Sequence, residues 1–164
     1  MMKEELAKEF NKQINEELFS EYLYLSMAAY YYDNNLKGFA HWFMIQAKEE
    51  RKHAMKFFDH LIERGVRVEL LPIQQPRKEW ASPLEAEEDA YKHECHITSR
   101  INFLLDLAYK EKDYAAIEML NWFAKEQVEE EANASEILAH LKKIKEHYGG
   151  LMQLDHNLGK RKEE

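Results

Sequence analysis

Nearly all of this chain is helix-compatible sequence, and only one long stretch is not. Val66 to Ala81 contains two of the three prolines, Pro72 and Pro76, and has no helical period. The chain has only five glycines, so long uninterrupted helices are expected elsewhere. A first helical stretch is predicted from Lys3 to Tyr32, ended by the turn Asp33-Asn34-Asn35-Leu36-Lys37-Gly38. A second runs from Phe39 to Arg64 and stops at Gly65. After the long connection, Ser82-Pro83-Leu84-Glu85 reads as an N-cap, a first-turn proline and a capping box, opening a third stretch to Lys110. Asp113 caps a fourth, predicted to reach His147 and to be stopped by Gly149-Gly150. A short fifth is predicted from Leu151 to Leu158.

These lengths constrain the topology. A helix of about 28 residues is roughly 42 Å long. The connection of about 16 residues spans roughly 55 Å when extended, enough to run the length of a bundle. The expected fold is therefore all-α: a single domain over residues 1–164, built as a four-helix bundle with one long crossover and a short fifth helix.

The apolar stripes of these helices are interrupted. Bundle helices bury residues spaced three and four apart. Along the second stretch the stripe is Phe39, Phe43, Ala47, Glu50, Ala54, Phe57, Leu61, with His53 one turn from Glu50. Along the third it is Ala90, Glu94, Ile97, Ile101, Leu104, Ala108. Along the fourth, Gln127 and Glu130 stand between Phe123 and Ala134. On the first, Glu17 shares a face with Phe10 and Tyr24. Glu17 and Glu50 lie about 19 and 14 residues from the turn at Leu36, and Glu94 and Glu130 each lie about 18 from the turn at Lys112. At 1.5 Å per residue all four reach the middle of the bundle.

A buried carboxylate costs several kcal/mol unless neutralised. No Lys or Arg lies on these stripes. Glu17, Glu50, His53, Glu94, Gln127 and Glu130 form an oxygen-rich set with one imidazole, which suits a pair of iron or manganese ions. Glu50 and Glu94, central in their stripes, are the expected bridging ligands. Solvated faces would explain any one of these glutamates, but not the same interruption at matching depth in four helices.

Acidic residues outnumber Lys and Arg by 31 to 23, a formal charge of −8, which disfavours nucleic acid and anionic membranes as partners. The longest nearly apolar run, Tyr22 to Tyr32, is too short to span a bilayer. Met1 to Leu6 is too acidic for a signal sequence. With one cysteine, Cys95, there is no intrachain disulfide, and the expected location is the cytoplasm.

Three segments, Glu17-Leu18-Phe19-Ser20-Glu21-Tyr22-Leu23-Tyr24, Glu49-Glu50-Arg51-Lys52-His53-Ala54 and Glu126-Gln127-Val128-Glu129-Glu130-Glu131, give the chain a resemblance to the bacterial and archaeal non-haem branch of the ferritin family. The resemblance covers almost the whole chain. It implies a ferroxidase centre in which Glu17, Glu50 and His53 hold one iron and Glu50, Glu94 and Glu130 the other, with Gln127 close by and Tyr24 beside the pair. It also implies a third iron position at Glu49, Glu126, Glu129 and Glu130. Further implications are O₂ or peroxide as oxidant and a homo-oligomeric 24-subunit shell that stores ferric mineral. Arg51 stands where the haem-binding relatives carry a Met, so no haem is expected. Gln127-x-x-Glu130 replaces the second Glu-x-x-His of related di-iron bundles. Animal ferritins line a pore with carboxylates at the positions of Ile117 and Leu120.

Two rival readings are a discrete di-iron oxidase or peroxidase of small oligomeric state and a non-catalytic metal-binding bundle. The first lacks a rubredoxin-like Cys pair, and the second does not fit a complete ligand set. His93, His96 and Cys95 read as surface, interface or packing residues rather than a zinc site. Trp42, Trp80 and Trp122 read as core or interface aromatics.

Overall fold

A computed structural model describes all 164 residues. Its five helices are α1 (Glu4–Asp33), α2 (Lys37–Glu63), α3 (Pro83–Glu111), α4 (Tyr114–Ile144) and α5 (Tyr148–Leu158), with no strands. The α1–α2 and α3–α4 pairs form antiparallel hairpins, α1 also packs on α3, and α5 sits against α2 and α4. The architecture is a four-helix bundle with one long crossover and a short C-terminal helix.

Local chemistry sets most helix ends where the sequence placed them. Ser82 accepts a hydrogen bond from the Glu85 N–H, and Asp113 from the Ala116 N–H. Glu85 reaches back to the Ala81 N–H, one residue earlier than a standard capping box. Three boundaries differ by two residues or more. The helix α2 begins at Lys37, so Lys37 and Gly38 are helical rather than part of the turn. The turn itself is made by Asn35 in the left-handed region at φ 57°, a conformation asparagine tolerates. At the other end, α4 stops at Ile144 rather than His147, because Lys145 adopts φ 55° and breaks the helical run. Gly149 and Gly150 lie inside the first turn of α5. His147 accepts a hydrogen bond from the Gly150 N–H and starts that helix three residues early.

The early start of α2 has a tertiary cause. Its N-cap residue, Leu36, offers no side-chain acceptor. Asp155 of α5 supplies one, accepting from the Phe39 N–H at 2.9 Å. A carboxylate also suits the positive end of the helix dipole. The approach requires Gly38, where any Cβ would collide with the Asp155 backbone carbonyl.

The crossover runs along α1 and is pinned to it at intervals. Asn11 accepts from the Glu69 N–H, Asn15 donates to the Leu71 and Pro72 carbonyls, and Ser26 donates to the Arg77 carbonyl. The segment ends at buried Trp80, which packs edge-on to Tyr30 and donates to Asp89.

The apolar core is divided. One cluster gathers Tyr24, Met27, Tyr31, Phe39, Phe43, Ala47, Ala90, Ile137 and Leu141, with Leu154 and Leu158 of α5. The other gathers Leu6, Phe10, Ile14, Phe57, Leu61, Ile97, Ile101, Leu104, Leu120 and Phe123. Ile117 and Leu120 belong to this second cluster and are buried within the subunit. A layer of buried polar side chains separates the two.

Asp155→Ala removes the acceptor at the start of α2 while leaving the apolar seat of α5 intact. The expected loss is about 1–2 kcal/mol of stability, read by denaturant unfolding. An unchanged midpoint would show that this cross-helix cap contributes nothing.

Candidate metal centre

The separating layer contains Gln13, Glu17, Gln46, Glu50, His53, Glu94, Gln127 and Glu130, none more than 6% exposed. Each bundle helix supplies at least one carboxylate to it. The ligand atoms of Glu17, Glu50 and His53 lie within 4.8 Å of one another, as do those of Glu50, Glu94 and Glu130. Glu50 belongs to both triplets, whereas Glu94 belongs to one. A third group joins His53 and Glu130 to Glu126.

The carboxylates are oriented by amides and a phenol. Gln13 donates to Glu17 at 2.9 Å, and Gln46 donates to Glu130 at 2.6 Å and to Glu50 at 3.3 Å. Tyr24 donates its hydroxyl to Glu94. The Gln127 amide donates to the Glu94 carboxylate at 3.1 Å, to the Glu94 carbonyl and to Thr98. Its nitrogen therefore faces the centre, and Gln127 acts here as a donor to a carboxylate.

Burial without enough positive charge shapes the electrostatics. Burial pushes the Glu17 carboxyl well above the ordinary range, helped by Glu50. Glu130 is raised well above it too, by burial and then by Glu94 and Glu50. Glu50 is raised by burial and by Glu94. Burial lifts Glu94 to about 7 against the lowering pull of Tyr24 and Gln127. Burial works in the opposite sense on His53, but Glu126, Glu50 and Glu17 outweigh it and hold the imidazole up at about 12. One oxygen of Glu17 is buried with no hydrogen-bond partner. Without a metal, one imidazolium faces four carboxylates. Two divalent cations would carry the four positive charges that four ionised carboxylates require, and the orphaned Glu17 oxygen could serve as a ligand. An oxygen-rich set with one imidazole suits iron or manganese.

Beside this layer lies a pocket of ≈ 340 Å³ whose walls include Glu49, Glu126, Glu129, Glu130 and Asn133. Glu49 does not join the converging groups; it is paired with Arg161 at 2.9 Å. Glu129 is exposed on the pocket wall. Glu126 is drawn toward the centre by His53, at 3.8 Å.

Several site residues escaped the sequence reading. Gln13 and Gln46 each stand four residues before a glutamate of the buried layer, a spacing that puts each pair on one helix face and could have found both. Glu87 stands two turns before Glu94 on the same stripe. It is buried, one of its oxygens is unpartnered, and burial followed by the charge of Glu94 raises its carboxyl to about 8. Arg161 gave no sequence signal, because its contacts depend on where the chain end docks.

The remaining candidates fit packing and surface roles. His93 bonds Ser20 at 2.6 Å, and His96 is exposed and pairs with Glu16. Burial raises the Cys95 thiol, the opposite of an activated nucleophile. Trp80 is in the core, Trp42 is half-buried under Arg161, and Trp122 is exposed over Lys56.

Residues 7–144 match the family model of the ferritin-like domain. The chain is 42% identical over 144 residues to a bacterial non-heme ferritin of Staphylococcus saprophyticus, covering 88% of this chain and 86% of that protein. It is 38% identical over 161 residues to a bacterial non-heme ferritin of Bacteroides fragilis, covering 98% and 100%. The fold superposes on an open pore ferritin from the hyperthermophilic archaeon Archaeoglobus fulgidus with a TM-score of 0.98, at 46% identity over 99% of this chain and 100% of that one.

The Glu87 carboxyl yields a pH test on metal-free protein. Its folded value, about 8, lies above the ordinary value of 4.5, so the folded state holds a proton that the unfolded state has lost. The contribution is intact below about pH 4.5 and is lost progressively as pH rises to about 8. Glu87→Gln is therefore expected to match the parent's melting temperature near pH 4.5 and to exceed it increasingly up to pH 8. Parallel melting curves across that range would refute this assignment.

Proposed function

The chain belongs to the ferritin family, and from that premise we propose that it is an iron-storing subunit that oxidises Fe(II) at the buried carboxylate layer. The observation that carries this reading is the pair of triplets meeting at Glu50. Glu17, Glu50 and His53 would hold one Fe(II), and Glu50, Glu94 and Glu130 the other. Iron supplies the electrons: two Fe(II) give one each to O₂, which takes two protons and leaves as hydrogen peroxide. Peroxide itself is the alternative oxidant.

The protein's part is geometry and charge. His53 must shed its proton before its nitrogen binds a cation, and so must any protonated carboxyl, so filling the site releases protons. Gln13, Gln46, Gln127 and Tyr24 keep the carboxylate oxygens aimed at the shared space. Tyr24 stays a neutral donor, since burial and then Glu94 push its hydroxyl well above the ordinary range. Glu49, Glu126, Glu129 and Glu130 provide a third cation position in the adjoining pocket.

The ferric product would accumulate inside a 24-subunit shell. Support comes from the ferritin relatives that match along nearly the whole chain and from the short α5, the element that ferritins use at a subunit junction. The assigned location is the cytoplasm, and the whole of residues 1–164 acts as one domain. No helix is long and apolar enough to cross a membrane.

Glu50→Ala and His53→Ala are each expected to slow Fe(II) oxidation by at least about 10–100-fold, the range lost with even a supporting partner of a metal site. Stopped-flow absorbance measures this, and unchanged rates in both would remove these residues from the centre. A sizing column run after aerobic Fe(II) loading tests storage. Iron far in excess of about three per chain, eluting with a very large particle, is the expected result. A small oligomer holding about two irons per chain would replace storage by a discrete di-iron oxidase.

A further inference from the structure

The segment after α5 folds back along α2 and forms part of the wall of the acidic pocket. The Arg161 carbonyl meets the His41 ring nitrogen at 2.7 Å, Glu163 pairs with Lys48, and the Glu164 carbonyl accepts from Lys52. This strap directs the Arg161 side chain inward, where its guanidinium lies 4.1 Å from the centroid of the Trp42 ring. One nitrogen donates to Glu49 at 2.9 Å; the other donates to the Gln46 carbonyl oxygen at 2.9 Å and to the Trp42 backbone carbonyl. Arg161 and Glu49 are both largely withdrawn from water, with side-chain exposures of 13% and 17%.

Two consequences follow from this fork. An amide with its oxygen held by Arg161 must present its nitrogen on the other side, and Gln46 there donates to Glu130 and Glu50. Arg161 thus selects the amide orientation that serves the metal centre. It also places a permanent positive charge on Glu49, a carboxylate otherwise available to a cation in the same pocket.

We propose that Arg161 is a positioning residue and internal counter-cation of the acidic pocket, so that a third metal ion gains Glu49 only by displacing the guanidinium. The proposal rests on the reading of Glu49, Glu126, Glu129 and Glu130 as a third cation position. It makes the pocket self-limiting. Two ions fill the carboxylate layer with Arg161 in place, and the third binds more weakly than its four carboxylates alone would dictate. An ion held weakly there can pass on rather than be trapped. Lysine at this position would keep the charge but lose the planar fork, and with it the hold on Gln46.

The test is calorimetric titration of the metal-free protein with Zn(II), which counts ions and affinities without any oxidation step. In Arg161→Gln the third ion is expected to bind at least about tenfold more tightly, and the first two about threefold or more less tightly, because Gln46 loses the contact that fixes its amide. Arg161→Lys should fall between that variant and the parent. Adding Glu49→Gln to Arg161→Gln should abolish the gain, because the released carboxylate is then gone. Circular dichroism on each variant checks that the bundle is retained; should Arg161→Gln unfold, the comparison of Arg161→Lys with the parent carries the test. A third-ion affinity that is unchanged or weaker in the variants overturns the inference while leaving the two-ion centre standing. Zn(II) binding to Glu50→Ala that is the same as to the parent chain overturns both.

Discussion

Four carboxylates buried at one depth in a helical bundle repel each other and lose their hydration together. That unfavourable layer governs how the rest of the molecule is arranged. It divides the apolar core into two clusters, each dense in aromatic and aliphatic side chains, which hold the layer in place from both sides. Amides at Gln13, Gln46 and Gln127 and the phenol of Tyr24 satisfy some of the carboxylate oxygens, yet one oxygen of Glu17 has no partner. Burial raises the Glu17 and Glu130 carboxyls well above the ordinary range, and the surrounding carboxylates raise the His53 imidazole. A layer of this kind is costly without cations and could hold a metal, and the chain belongs to the ferritin family.

The short fifth helix is tied to this layer by specific chemistry. Asp155 completes the start of α2, which Gly38 leaves open to close approach, and α5 packs Leu154 and Leu158 into one of the two core clusters. Its docking brings the following strap along α2, and the strap delivers Arg161 to Glu49 and Gln46. The chain end is thereby linked through two amide contacts to Glu130 and Glu50. Stability at the end of the chain and geometry at the centre share the same contacts.

The four long helices, the crossover and the glutamates of the buried layer can be read from the sequence. Helical spacing puts residues three and four apart on one face, so a glutamate among phenylalanines and alanines stands out in a single pass along the chain. The matching depths of Glu17, Glu50, Glu94 and Glu130 followed from rise per residue alone. Some orienting residues were also within reach, because Gln13 and Gln46 sit one turn from the glutamates they serve. The boundaries that differed, at Lys37 and at Lys145 to Gly150, are places where another part of the chain or an uncommon backbone conformation decides the outcome.

Periodicity and rise are local properties of the backbone, so the order of residues is enough to set which segments are helices, which faces they bury and which carboxylates share a level. Packing of the helices is what puts Glu50 in both triplets and Glu94 in one, turns the Gln127 nitrogen to Glu94, and pairs Glu49. Those outcomes depend on distances of a few ångströms between helices and on a contact between residues 49 and 161. No local pattern encodes them; they emerge only when the helices pack against one another.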